Sequence, residues 1–504
     1  MPDRAEQESE HQGISRRTLL RTSALATALV TLDLVGKAAW LPARPAVAAG
    51  AALPDIQFDI GNYISGPQTI DNIVVQLPPV HTTFLTAQLT RTPTRSDQAA
   101  FANALAALEV NYPFAAGGVM TFVAYGIPYF NRLPGGLGGA LVSARMPRLA
   151  SNHNRFVLEE AVPSPTDVSA SNPGITKQTF NVPVAIEHND VLLTVRGDDS
   201  SFVADVVSWF GGSNSLSGRS VPSPVPGLLR FTSSRAMFVQ MGLPRYVAGV
   251  GNLPFAPFIQ PRSPMWMGFA DQQTHGSGPA AITTFVGNAS ARSTTAQPGD
   301  YFDNGSIQHL AHDILDMAQF FDLDSDNNPG DDGTFLERVQ YMFRSTPPPA
   351  QGNTDQFTNG GGPSFLENTF QGTNDAINSA KGIGVPPDPV TGLPQFRMGH
   401  LSTLQRSSRA ADGTPMHVRM DGPGFDNLDV PDGSSQPKLQ FTIFVPSADF
   451  FATMRSNQAA QDLSQQFDID QEDNGLERFI TATRRQNFLV PPRRHRAFPL
   501  VELT

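Results

Sequence analysis

The chain is 504 residues long and 40% hydrophobic, with 46 acidic against 35 basic side chains and a net charge of −11. That acidic balance excludes a nucleic-acid polyanion as the natural partner. The absence of cysteine removes disulfides, thiol nucleophiles, thiolate-ligated or covalently attached haem, and all-cysteine zinc or iron–sulfur sites.

The first element is a leader. Ser15-Arg16-Arg17-Thr18-Leu19-Leu20-Arg21 opens an apolar run from about Leu25 to Val35, and Ala46-Val47-Ala48 offers a small-x-small cleavage site. A charged start, an apolar core and such a site make a signal peptide over residues 1–48. Paired arginines directly before the core mark the twin-arginine route, so the protein is expected outside the cytoplasm: periplasmic, envelope-bound or secreted. No apolar stretch of membrane-spanning length follows, so no stable membrane span is expected after removal of the leader.

Beyond the leader the pattern is mixed. Thr82–Leu89 has strand character and Ser96–Glu109 the apolar spacing of a helix, with Ala99, Phe101, Leu105 and Leu108 on one side. Met120–Tyr125 and Asp190–Val195 read as strands, Ser200–Phe210 as a helix. A Ser/Gly/Pro-rich join, Gly211 to Pro226, divides the chain into 49–215 and 216–504. In the second part Gln440–Val445 alternates like a strand, and Asp449–Asn457 and Leu476–Thr483 read as helices. Residues 343–395, with Pro347-Pro348-Pro349 and Gly360-Gly361-Gly362, read as a long insertion with little regular structure. Strand–helix order repeated in both parts predicts two similar α+β sandwiches.

Isolated motifs are sparse. His309-Leu310-Ala311-His312 places two imidazoles at i and i+3 on one helix face, a spacing metals can use, although no third ligand is evident. Asp322–Asn328 alternates oxygens like a calcium loop, but Asn327 and Gly333 stand where an EF-hand needs glycine and glutamate. Nucleophile elbow, Walker loop and dinucleotide fingerprint are absent from the sequence, which lowers hydrolase, NTPase and dehydrogenase readings.

A series of segments from about Val80 onward resembles the dye-decolourising (DyP-type) peroxidases. In the first part, Val123-Ala124-Tyr125-Gly126-Ile127-Pro128-Tyr129-Phe130 and His188-Asn189-Asp190-Val191-Leu192-Leu193 carry it. In the second, Gly268-Phe269-Ala270-Asp271 resembles the GFxDG motif. Gly305-Ser306-Ile307 and Glu337-Arg338-Val339-Gln340 resemble the following strand and helix. Gly399-His400, with Arg406 and Arg409, resembles the haem-ligand segment. His417-Val418-Arg419-Met420-Asp421-Gly422 resembles the segment of the distal arginine, and Phe479–Phe498, with Pro491-Pro492 and Phe498-Pro499, the C-terminal end.

The resemblance implies a duplicated ferredoxin-like α+β fold with antiparallel sheets, non-covalent haem b, and peroxidase activity with hydrogen peroxide and an organic reducing substrate. It leaves room for a homo-oligomer. His400 would ligate the haem iron, with His417 as the competing ligand. Asp271 would shuttle the peroxide proton, and Arg419 would face the charge growing on the leaving oxygen. Arg406, Arg409 and Asp421 would help to hold the cofactor. Gln272 stands where the motif has its second glycine, and Leu401-Ser402-Thr403 replaces the basic run after His400. These departures keep two alternatives open: a non-catalytic envelope binding protein, and deferrochelatase-like release of iron from haem.

Overall fold

A computed structural model describes residues 25–36, 53–268 except 65, 67, 71 and 72, then 279–287, 293–323 and 374–504; within the last stretch it leaves out 375, 379, 384–390, 394–397, 401–402, 404–405, 407–413 and 471–472. The loop carrying Asp271 and Gln272, the calcium-like loop from 324 on, Glu337–Gln340, Arg409 and most of the 343–395 insertion lie outside the described residues.

The first unit is built from β1 (His81–Leu89), α1 (Arg95–Asn111), β2 (Met120–Tyr125), β3 (Val191–Gly197), α2 (Ser200–Phe210) and β4 (Leu229–Phe238). Local chemistry starts its helices. Thr94 and Asp97 form a reciprocal capping box at α1, and the Asp199 carboxylate accepts from Ser201 N at α2. The strands pair antiparallel in the order β2–β3–β1–β4. With helices after the first and third strands, this is the ferredoxin-like arrangement. The fourth strand lies beyond the join at 215/216, so the unit runs on to Phe238.

The second unit repeats the plan: β5 (Ser306–Leu315), the edge strands β6 (Val418–Arg419) and β7 (Gly422–Asp426), β8 (Gln436–Val445), α3 (Ala448–Ala459), capped by Ser447, and β9 (Ile480–Val490). Its order is β6/β7–β8–β5–β9, the same permutation as in the first unit. The fold is therefore α+β with a duplicated ferredoxin-like core. Two readings are corrected. His309 and His312 lie on β5, a strand buried on both faces, so i and i+3 point to opposite sides. Leu476–Thr483 is a single 3₁₀ turn, Gly475–Phe479, followed by β9.

One rung, Leu489 opposite Tyr125, joins the two sheets. At the far end β7 packs against β4, where glycine is required: a Cβ on Gly424 would fall 2.9 Å from the Ala236 carbonyl oxygen, and one on Gly422 2.9 Å from Val239. The sheet thus closes toward a barrel. Phe84, Phe122, Leu192, Leu310, Phe444 and Phe488 fill its interior. On the outside Leu85, Leu105, Leu193, Val207 and Trp209 pack under the helices of the first unit.

Two chain ends complete the first unit. The helix Ala26–Gly36 lies along α2 and β4. From the other end, Arg493 and Arg496 both donate to Glu109 on α1, at 2.8 and 2.6 Å, and the Tyr129 hydroxyl donates to the Pro499 carbonyl at 2.7 Å. No helix among the described residues is long and apolar enough to cross a membrane.

Candidate functional site

The outer face of the second unit's sheet is unusually polar. Register places Arg419, Ile443, His309 and Asn487 in one row, and Phe441, Ala311 and Arg485 in the next. Asp313 follows one step further on. Helix α3 covers part of this face, with the Phe451 ring stacked on His309 at 3.6 Å.

Arg485, Arg455 and Glu477 have named partners here. Arg485 donates two bonds to Asp167, at 2.6 and 2.9 Å, with both side chains almost fully buried. Arg455, on α3, donates to Glu477 at 3.1 Å and to Ser164 at 3.0 Å. Thr166 donates to the Glu477 carboxylate, and the Lys177 ammonium to the Glu477 carbonyl. Burial works to raise the Glu477 pKa, but Arg455, Thr166, Lys177 and His400 together hold it at about 2.

His309 is neutral. Burial, reinforced by the Arg485 cation, drives its pKa well below the ordinary value. Asn487 donates its amide N–H to the Glu159 carbonyl, which turns its oxygen toward His309; Nδ1 of the imidazole is therefore the protonated nitrogen, at 2.7 Å. Asp313 is only 4% exposed, and one of its oxygens has no hydrogen bond among the described residues. Burial pushes its pKa up to about 6, against the pull of Arg485 and Arg455.

His400 enters this neighbourhood from the connection between β5 and β6. Met398 bridges to Asn474, and its N–H donates to the Asp473 carbonyl at 2.8 Å. Gly475 then runs beneath His400 with φ +50; a Cβ there would lie 3.1 Å from His400 N. The positive φ and the close approach both call for glycine. The residue is part-buried, yet its ring is desolvated enough to lower its pKa to about 4. Glu477 opposes that shift; Arg419 and Arg455 add to it.

The expected site residues are thus partly assembled. His400 and Arg419 lie within electrostatic range of each other, and Glu477 lies beside His400. Asp421 is half-buried just past Arg419, and His417 is buried just before it. Arg406 is engaged elsewhere, in a two-pronged pair with Asp462 at 2.7 and 3.1 Å. Asp271 and Arg409 lie outside the described residues, although the segment that leads to Asp271 is anchored by Trp266, whose indole donates to the Gly424 carbonyl at 3.0 Å. The His309/His312 pair builds no metal site: among the described residues no cluster of three ligating side chains occurs. His312 instead faces Gln440 and Asp426. Sequence reading missed Asp167, Asp313, Arg455, Glu477 and Arg485, which come from separate segments and share no local motif. A cavity of about 290 Å³, lined by Thr166, Ile175, Gln461, Ile469 and Asn474 among others, opens beside the Glu477 cluster.

Comparison with known proteins gives one family and a set of solved structures. The sequence pattern of DUF7405, a family of unknown function, matches residues 157–492. No curated protein matches the chain. Among solved structures, DtpA from Streptomyces lividans is 12% identical, with 86% of this chain and 96% of that one covered and a TM-score of 0.47. A DyP-type peroxidase from Cellulomonas bogoriensis is 13% identical (90% and 94% covered, TM-score 0.46). A variant of DypB from Rhodococcus jostii, solved in complex with heme, is 12% identical (84% and 96% covered, TM-score 0.44).

Proposed function

The chain belongs to the DUF7405 family, and we propose that it is an exported, haem-binding protein that consumes hydrogen peroxide at the expense of an organic donor. One observation carries this reading. A neutral, desolvated imidazole, His400, lies beside a carboxylate held ionised, Glu477, and within range of the Arg419 cation. That donor set fits a haem: a neutral imidazole is the form that binds iron, and an adjacent carboxylate strengthens it as a ligand. Bound haem would supply the redox chemistry with peroxide.

The chain's own share is placement and charge. Gly475 and the Met398–Asn474 bridge fix the backbone that presents His400. Glu477, locked by Arg455 and Thr166, offers a fixed negative charge toward the ring. Arg419, on an edge strand, offers the positive charge that a departing oxygen needs. Asp271 is the carboxylate proposed to hold or pass the proton, and Asp421 one proposed to help hold the cofactor. Arg409 remains a proposed partner for the haem carboxylates; Arg406 would have to leave Asp462 to join it. The export reading rests on the Ser15–Arg21 segment and the apolar run behind it.

The spectrum of protein produced with haem, wild type beside His400→Ala, tests the reading. A Soret band lost or shifted in His400→Ala supports His400 as ligand. A band unchanged in the variant moves the ligand, with His417 next in line. No band in the wild type, even after haem is added, refutes haem binding altogether. A second reading, haem held without turnover, is favoured by Gln272 and by the engagement of Arg406 with Asp462. An intact Soret band with no peroxide consumption would select it.

A further inference from the structure

The apolar segment read as the leader's core has a fitted seat on the folded chain. The helix Ala26–Gly36 lies antiparallel to α2, and both ends meet close approaches. At its start, Leu25 rests over Gly211, where a Cβ would come within 2.5 Å of the leucine side chain. At its end, Gly36 passes over Ser200 so closely that it has no room for a side chain. Between them, Ala28, Thr31, Leu32 and Val35 are buried against the sheet, while Val30 is 67% exposed.

Two polar contacts fix the register. A helix leaves its first N–H groups without partners; here Ala28 N–H donates to the Ser234 hydroxyl on β4 at 3.3 Å. Thr31 donates to the Phe425 carbonyl on β7 at 2.9 Å. The helix therefore spans the seam where β4 and β7 meet without a backbone ladder. Two helices cover the outer face of the first unit, and this segment acts as the third.

We propose that residues 25–36 have two mutually exclusive seats: this groove in the folded precursor, and the receptor that reads the leader. The seat on the fold stands on the contacts above; the second rests on the export reading. Leu25, Leu32 and Val35, the apolar side chains a leader must present, are hidden while the helix is docked. The groove then restrains the leader until it is released, and cleavage after Ala48 vacates the seam.

The absence of cysteine makes a direct test clean. In the purified full chain, Ala28→Cys with Ser234→Cys is expected to cross-link within one molecule roughly tenfold faster than Val30→Cys with Ser234→Cys. Equal rates would overturn the seat. In cells, Ser234→Phe, which fills the groove without altering the leader, is expected to speed removal of the N-terminal segment relative to the wild type. Unchanged or slower processing would overturn the restraint. If neither chain is processed while the cross-link still forms, the leader reading fails and the second seat with it.

Discussion

The two units share a strand order and differ in what they put under their helices. In the first, Leu85, Leu105, Leu193 and Val207 meet across an apolar layer. In the second, the same layer holds His309, Asp313 and Arg485, with Asp167 and Glu477 brought in from connecting segments. An apolar layer tolerates small changes of shape, whereas a buried ionic layer fails when a single partner is removed. The contrast sets the second unit apart by the charge it buries.

That contrast can be broken deliberately. Asp167→Ala strands the Arg485 guanidinium in the interior and should destabilise the protein by about 3–5 kcal/mol. Urea unfolding measures it; a loss under about 1 kcal/mol would show that Arg485 needs no buried partner. Leu105→Ala, in the apolar layer, should cost about 2–4 kcal/mol through lost burial and a cavity. A larger loss there than for Asp167→Ala would erase the distinction between the units.

Titration sharpens it further. His81 is buried, neither ring nitrogen has a hydrogen bond among the described residues, and burial lowers its pKa to about 4. The unfolded chain takes up this proton at about 6.5, so stability falls as pH drops from 6.5 toward 4. His81→Leu should recover about 3 kcal/mol at pH 4 relative to its effect at pH 7. Thermal unfolding against pH checks this, and parallel curves for the two proteins would refute it. Asp313 has the opposite sign, because its pKa is raised from 3.8 to about 6. Its ionisation weakens the fold as pH rises through that window. Asp313→Asn should therefore stabilise by about 3 kcal/mol at pH 8 and by almost nothing at pH 3.5. A destabilised Asp313→Asn at pH 8 would mean that the carboxylate is held by its arginine neighbours after all.

The contrast also explains what could be read from the sequence. Elements with one wet face and a side-chain cap were legible. Thr94 precedes α1, and Ser447 precedes α3, whose span was read nearly in full. Strands buried on both faces were harder: β5 shows no alternation, so its two histidines passed for neighbours on a helix. The start of β9 reads as a helix because Thr481, Thr483 and the polar run Arg484–Asn487 disguise a strand whose two faces are both polar. His400 and Arg419 rest on the family resemblance and stand as proposed site residues. Glu477 and Arg485 were not legible, because a buried ion pair leaves no periodic trace when its members come from distant segments.

The clasp of Arg493, Arg496 and Pro499 on the first unit sets an order in time. Glu109 and Tyr129 are translated hundreds of residues before the groups that pair with them. Domains ordinarily fold as they leave the ribosome, the N-terminal one first. Here the first unit cannot complete these contacts until translation has passed Arg493, Arg496 and Pro499. A chain stalled short of Arg493 carries both halves of its sheet yet lacks the clasp that finishes the earlier one.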